Sequence, residues 1–227
     1  SQLNGAIVKF AKNNNNKFSV ENALSLVTKK TKIVFIANPN NPTGTYINST
    51  ELLQLRNRLP ENVLLMVDDA YAEYVIKKDY KSGLEIFKDF ENTVVCRTFS
   101  KIFGLANLRL GWGVASSEII KAANLFRPPF NINGIAEKAG SIALQDDIWI
   151  NKNIDHNNKW SAIIYDKIIS KNIKTNEPVA NFFLLNFEKA KLNSDKAFEI
   201  FLNNKILLRK MDSYGIKNSL RLTIGTD

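Results

Sequence analysis

Three short apolar runs each end in a cluster of polar, chemistry-bearing residues, and this pattern constrains the fold more than any other. KIVFIA at 32–37 runs into NPNNPTG, VLLMV at 63–67 runs into DDAY, and TVVC runs into RTFSK. Runs this short, rich in Val, Ile and Leu and without polar alternation, suit strands buried on both faces. Residues 49–58 carry a helical pattern, with Ser49 or Thr50 available as cap before Glu51 and Pro60 ending it. Strand–helix alternation predicts a parallel α/β layer. Such a sheet binds ligands outside the carboxyl ends of its strands. One pocket there would collect Asn41, Asp68, Tyr71, Lys101 and Arg109.

Further along, Asn92–Thr98 is the third expected strand, with VTKKTKIVF and GWGVAS as shorter β candidates. SSEIIKAANLF predicts a helix begun by Ser116 or Ser117. RPPFNING at 127–134 is an expected hinge, because Pro128 and Pro129 cannot continue a helix. Residues 135–145, and then an amphipathic stretch to about Ser170, predict helices. After Pro178 the style changes: NFFLLNF strand, SDKAFEIFLNNK helix, then ILLRK and SLRLTIG strands. The expected division is a large domain over 1–126, then linker helices and a small α+β domain over 127–227.

With 227 residues and 44% apolar side chains, the chain can bury a sizeable core. No run of about 18 apolar residues suggests a membrane span, and the first residues lack the plan of a signal peptide. The net charge of +9, from 31 basic and 22 acidic residues, raises nucleic-acid binding as a possibility. The lysines are nevertheless spaced singly, as at Lys152, Lys159, Lys167, Lys171 and Lys174. They suit a solvated surface with a mild pull on anionic substrates, and no nucleic-acid partner is expected. Cys96 is the only cysteine, so no intrachain disulfide forms. It suits a small buried strand residue in a reducing cytoplasm. His156 has no motif around it and suits a solvated helix position, while Trp149 and Trp160 suit packing roles.

Pro39 and Pro42 restrict NPNNPTG, and Gly44 permits a positive φ, so this segment turns and offers the Asn41 amide to a ligand. The following helix N-terminus should face the same pocket. Asp68, at the end of a buried strand, needs a cationic partner, because an unpaired buried carboxylate is costly. Tyr71, three residues on, can donate a hydrogen bond to a phenolate oxygen. In TFSKIFGLANLRLG, Lys101 follows two hydroxyls, Thr98 and Ser100. A lysine amine is nucleophilic only when deprotonated, which burial and a nearby positive charge favour. Arg109 would supply that charge while holding a phosphate with its forked guanidinium. A surface role is the ordinary expectation for any single lysine. Here glycines at 104 and 111 and two hydroxyls crowd one short stretch, which argues against it. GWG lacks the spacing of a phosphate-binding glycine loop. An amine, a carboxylate, a phenol, an amide and a guanidinium together suit pyridoxal phosphate held as a Schiff base.

In combination, order and spacing, NPNNPTG, DDAY and SKIFGLANLRLG resemble the fold-type I pyridoxal-phosphate aminotransferases of classes I and II, from about residue 5 onward. RPPFNIN, NFFLLNF and LRLTIGT narrow the resemblance to the histidinol-phosphate branch. The resemblance implies a three-layer, mostly parallel α/β sheet with a small α+β domain. It implies a homodimer acting on small amino-acid and phosphate substrates, transferring an amino group from glutamate to imidazole acetol phosphate. By position, Lys101 matches the Schiff-base lysine, which also moves the substrate proton. Asp68 matches the partner of the pyridine nitrogen, and Tyr71 and Asn41 the ligands of the ring oxygen. Thr98, Ser100 and Arg109 match the phosphate ligands. Arg221 matches the arginine that grips the glutamate carboxylate or the substrate phosphate, and Arg209 a second anion-binding arginine. The family pattern has an upstream portion without a counterpart here, so a fragment of low activity is expected. Asp69 stands where the family usually has Glu, a difference expected to matter little. Threonine-phosphate decarboxylation and aromatic transamination are the neighbouring alternatives. A non-catalytic regulator keeping the fold is the alternative of another class, and retention of Lys101, Asp68, Tyr71 and Arg109 together argues against it.

Overall fold

The three apolar runs become parallel neighbours in a computed structural model that describes residues 2, 5–87 and 91–226. β1 (Ile33–Ala37), β2 (Leu64–Asp68) and β3 (Thr93–Thr98) lie side by side in chain order, and β4 (Gly111–Val114) adds antiparallel to β3. Their register pairs Ala37 with Asp68, Asp68 with Cys96 and Thr98 with Gly111, which brings the reactive strand ends level.

Alternation along the strands sends Leu65, Val67 and Val95 into one core, against Leu52 and Leu55 of α2 (Ser49–Arg58). The short α1 (Val20–Leu24) and α3 (Gly83–Ile86), which the sequence pattern did not suggest, close this core. The opposite face is less covered: in β1 Ile33 is 44% and Phe35 62% exposed, while in β2 Leu64 and Met66 are half-buried. The burial on both faces expected of 63–67 is thus complete on one face and partial on the other. The cap of α2 is Asn48, not Ser49 or Thr50. Its Oδ1 accepts from Glu51 N at 2.8 Å, and Glu51 Oε2 accepts from Asn48 N at 2.9 Å, a complete capping box.

Three helices follow: α4 (Ser117–Phe126), capped by Ser116, then α5 (Gly134–Ala143) and α6 (Asp147–Ser170). The closing sheet is antiparallel in the order β5–β7–β6, formed by Phe182–Asn186, Ser219–Thr223 and Arg209–Lys210, with α7 (Ser194–Asn203) over it. ILLRK contributes only its last two residues as strand, because its start is turned back: Ile206 N donates to Phe201 O. With 24 residues, α6 is about 36 Å long. Its Ile150 and Ile154 pack near Phe99 and Ile102, and its Ile168 is buried with Phe183 and Leu185. Among the described residues no helix is long and apolar enough to cross a membrane.

Candidate active site

The loop after β1 is fastened from within. Asn38 is buried and exchanges hydrogen bonds with the Ile47 backbone at 2.9 and 3.1 Å, and its carbonyl accepts from the Tyr80 hydroxyl at 2.9 Å. Asn40 N donates to Thr45 O at 2.7 Å, and Gly44 takes a φ of 68°, which glycine adopts without strain. Asn41 thus faces the cavity beyond the strand ends. The first turn of α2 does not line that cavity, contrary to expectation; Asn48 and Glu51 already engage its free backbone groups.

Successive strand residues point to opposite faces, and this separates Asp68 from Asp69. Asp68 is exposed and lines the cavity, with Oδ1 accepting from Ala70 N at 3.0 Å. Asp69 is the buried carboxylate. Its Oδ2 accepts from Gly83 N at 2.6 Å and lies 3.9 Å from Arg97 Nη1, while Arg97 Nη2 donates to Glu73 Oε1 at 2.6 Å. Contrary to expectation, the costly buried acid is Asp69 and not Asp68, and Asp69 anchors the start of α3. Burial pushes the Asp69 carboxyl up to about 7, against the opposing pull of the Gly83 N–H and Arg97. The single Arg97 guanidinium thus lies between the carboxylates of Asp69 and Glu73.

After β3 the chain folds into a tight turn. Thr98 Oγ1 accepts from Ser100 N at 3.1 Å, Gly104 N donates to Lys101 O at 2.9 Å, and Leu105 N donates to Phe99 O at 2.9 Å. Lys101 Nζ lies 5.2 Å from the centroid of the Tyr71 ring, which is itself buried. Arg109 sits in the left-handed region, with φ 53° and ψ 45°, and its Nη1 donates to Ala106 O at 2.7 Å. Cys96 is half-buried and lines the cavity instead of filling the core; burial foremost, and then Asp68 and Asp69, push its thiol up.

Asn41, Asp68, Tyr71, Thr98, Ser100, Lys101 and Arg109 all line this cavity of about 560 Å³. Arg221, on β7, reaches its rim: Nη1 donates to Asn41 Oδ1 at 2.5 Å, and its guanidinium carbon stacks 5.1 Å from the Phe182 ring centroid. Arg209 stands apart. It is exposed, pairs across the strand with Arg221, and stacks on Tyr214 at 5.4 Å. The sequence marks Phe182 only as part of a strand. It is buried between Arg221 and Tyr71, whose ring meets it edge-on at 5.2 Å. Trp149 is more than a packing residue, since its Nε1 donates to Ile102 O at 2.8 Å. His156 Nε2 lies 2.8 Å from Gly225 O, so it is not simply solvated. Chemically, the cavity offers an amine for a carbonyl carbon, a carboxylate for a cationic ring atom, and a guanidinium with two hydroxyls for an anion.

A family model described as "Aminotransferase class I and II" matches residues 2–227. A curated histidinol-phosphate aminotransferase of Pelagibacter ubique is 50% identical over 227 residues, covering 100% of this chain and 63% of that protein. One from Rhodopseudomonas palustris strain TIE-1 is 40% identical, covering 99% of this chain and 62% of its own length. The chain thus spans under two thirds of these relatives. Among solved structures, histidinol-phosphate aminotransferase from Clostridium acetobutylicum superposes with a TM-score of 0.89 at 24% identity, over 98% of this chain and 68% of its own. That from Sinorhizobium meliloti, solved in complex with pyridoxal-5'-phosphate, superposes with a TM-score of 0.84 at 21% identity, over 95% of this chain and 59% of its own. At these identities the two structures speak for the fold.

Proposed function

The chain belongs to the class I and II aminotransferases, and from that premise we propose that it carries the reactive half of a pyridoxal-phosphate-dependent histidinol-phosphate aminotransferase. The observation that carries the proposal is the convergence of Lys101, Asp68, Tyr71, Thr98, Ser100 and Arg109 on one cavity. The donor set fits the cofactor group by group. Asp68 would hold the protonated pyridine nitrogen, while Tyr71 and the Asn41 amide N–H would hold the ring oxygen. Thr98, Ser100 and Arg109 would hold the phosphate, and Lys101 the aldehyde carbon. When bound, pyridoxal phosphate supplies an electron sink for the substrate carbanion.

The remaining work falls to the chain's own side chains. Lys101 Nζ, beside Tyr71, would take the proton from the substrate α-carbon and deliver it to C4′, the former aldehyde carbon of the cofactor, so that the proton changes carbon and the amino group can be left behind. Arg221, steadied by Asn41 and the Phe182 ring, binds the glutamate carboxylate or the phosphate end of the second substrate. Arg209 lies outside the cavity and has the weaker claim to this role. Division of the chain near residue 127, a homodimer and a cytoplasmic setting belong to the same reading. For the dimer, support comes from an uncovered apolar face on and between α4 and α5, where Phe126 and Phe130 are 87% and 99% exposed. The lone cysteine supports the cytoplasm.

The test is made on the complete protein with pyridoxal phosphate. Borohydride should fix the cofactor to the Lys101 peptide in mass spectrometry, and Lys101→Ala should lose that label while keeping its far-ultraviolet circular dichroism. Amino transfer from glutamate to imidazole acetol phosphate, forming 2-oxoglutarate, supports the proposed substrates. Carbon dioxide release from threonine phosphate, or transfer confined to aromatic amino acids, overturns them.

A further inference from the structure

The turn that carries Lys101 is anchored from outside by Leu110 O, which accepts from Phe99 N at 3.2 Å, and by one residue far away in sequence. Lys101 O and Phe99 O accept from Gly104 N and Leu105 N within the turn. The next carbonyl, that of Ile102, points away from these bonds and accepts from the indole Nε1 of Trp149 at 2.8 Å, across 47 positions of sequence. The same indole packs against the turn: a Cβ built on Gly104 would stand 3.4 Å from Trp149 Cζ2. Gly104 has a φ of 71°, so the chain reverses where the ring covers it.

The donor is itself fixed. Trp149 is in the first turn of α6, and its backbone N donates to the capping Asp146 Oδ1 at 2.9 Å. Its carbonyl accepts from Asn153 Nδ2 at 2.8 Å. The adjacent Ile150 and, a little over one turn on, Ile154 pack around Phe99, Ile102 and Phe103, so apolar contact and the indole bond hold one helix end on one turn.

We propose that Trp149 is a positioning residue for Lys101. Its N–H fixes the peptide plane between Ile102 and Phe103, one unit beyond Lys101, and so steadies the backbone from which the amine enters the cavity. A carbonyl left to water keeps a partner but loses its fixed direction, and the four-carbon lysine stem then samples more orientations. The effect is on geometry, not on binding of the substrate. It should lower kcat roughly five- to twentyfold with KM changed less than about twofold, as when an interaction of the reacting state is lost.

This inference rests on the proposed role of Lys101, and the experiment separates the two. The complete protein is loaded with pyridoxal phosphate and its visible absorbance is titrated against pH. A wild type that takes up no colour refutes the function, whatever Trp149 does. In a coloured wild type, three variants are compared. Trp149→Phe keeps a ring and loses the donor. Trp149→Gln loses the ring but keeps an N–H of similar reach. Trp160→Phe removes an indole from the same helix, eleven residues further on. Positioning through the hydrogen bond predicts a displaced titration midpoint for the Phe variant, a midpoint nearer wild type for Gln, and no change for Trp160→Phe. A Gln variant more displaced than Phe assigns Trp149 to packing and overturns the proposal, as does a Phe variant that titrates like wild type. If the Phe variant does not fold, Asp146→Ala, which frees the first turn of α6, should shift the midpoint in the same sense; no shift there counts against the proposal.

Discussion

Arg221 donates from Nη1 to Oδ1 of Asn41 at 2.5 Å, tying β7 of the small sheet to the loop after β1 across 180 positions of sequence. The bond fixes the asparagine amide. With its oxygen turned to the guanidinium, its Nδ2 is left as the donor for the cavity. It also holds the guanidinium over the Phe182 ring, 5.1 Å from the centroid. Arg221 and Asn41, proposed as the anion-binding arginine and a ring-oxygen ligand, are thus one unit.

Asn41→Ala should therefore weaken anionic substrate binding as well as cofactor binding. A hydrogen bond to a charged group contributes about 1.5–3 kcal/mol, so KM for glutamate should rise roughly tenfold or more, with a smaller fall in kcat. Asn41→Asp should be worse than Ala, because it sets a carboxylate on the guanidinium that must receive another. Steady-state kinetics on the two variants check the order. Equal KM values for wild type and Asp would contradict the coupling.

Asp69 should leave a signature in the pH dependence of stability. Its folded-state pKa of about 7 lies above the ordinary 3.8, with burial the main cause. Between those values the folded protein holds a proton that the unfolded chain has released. The contribution is thus fully present below the unfolded value and lost as pH rises through the folded one, with a slope of at most about 1.4 kcal/mol per pH unit. Asp69→Asn keeps an acceptor for Gly83 N and removes the titration. Thermal unfolding should show wild type losing stability from acidic to neutral pH relative to the variant. Parallel curves would mean that Asp69 is ionised throughout and fully paired with Arg97.

Much of this was legible in the sequence because it is local. Apolar runs bounded by NPNNPTG, DDAY and TFSK suffice to place three strand ends, and parallel strands in register make those ends level. The chemistry-bearing residues lie within a few positions of those ends, so Asn41, Asp68, Tyr71 and Lys101 fall into one cavity. What was not legible depends on pairing at a distance. Nothing near Phe182 tells that its ring fills the space between Arg221 and Tyr71. Nothing near Trp149 tells that its N–H meets a turn 47 residues earlier. Which of Asp68 and Asp69 is buried turns on strand phase, which DDAY does not reveal. A helix cap one residue earlier than expected reflects the reach of Asn48 to Glu51 N.

Cys96 should be a slow nucleophile. Burial, with Asp68 and Asp69 beside it, raises its thiol above the usual range, so little thiolate exists near neutral pH. Alkylation by iodoacetamide, followed by mass spectrometry, should be slower than for a free thiol at neutral pH and should accelerate above it. Because Cys96 lines the cavity, bound pyridoxal phosphate should slow it further. Labelling as fast as free cysteine would show that the thiol is neither buried nor flanked by those carboxylates.

Three glycines should rank by the space around them. At Gly111 an added Cβ would lie 2.9 Å from the carbonyl oxygen of Arg97, and backbone cannot step aside as a side chain can. Since Gly111 pairs with Thr98, Gly111→Ala should push β4 from β3 where Thr98 meets the cavity. A loss of about 1–3 kcal/mol is expected, in the range of overpacking, together with weaker cofactor binding. At Gly113 the nearest atom is Val95 O at 3.3 Å, so Ala there should cost less. At Gly134, the first residue of α5, nothing lies within 4 Å, and Ala should be neutral or slightly stabilising through helix propensity. Melting temperatures should fall in the order Gly134→Ala, Gly113→Ala, Gly111→Ala, and only the last should show a large rise in the cofactor dissociation constant measured by tryptophan quenching. A tolerated Gly111→Ala would mean that the β3–β4 edge yields more readily than its hydrogen-bonded register implies.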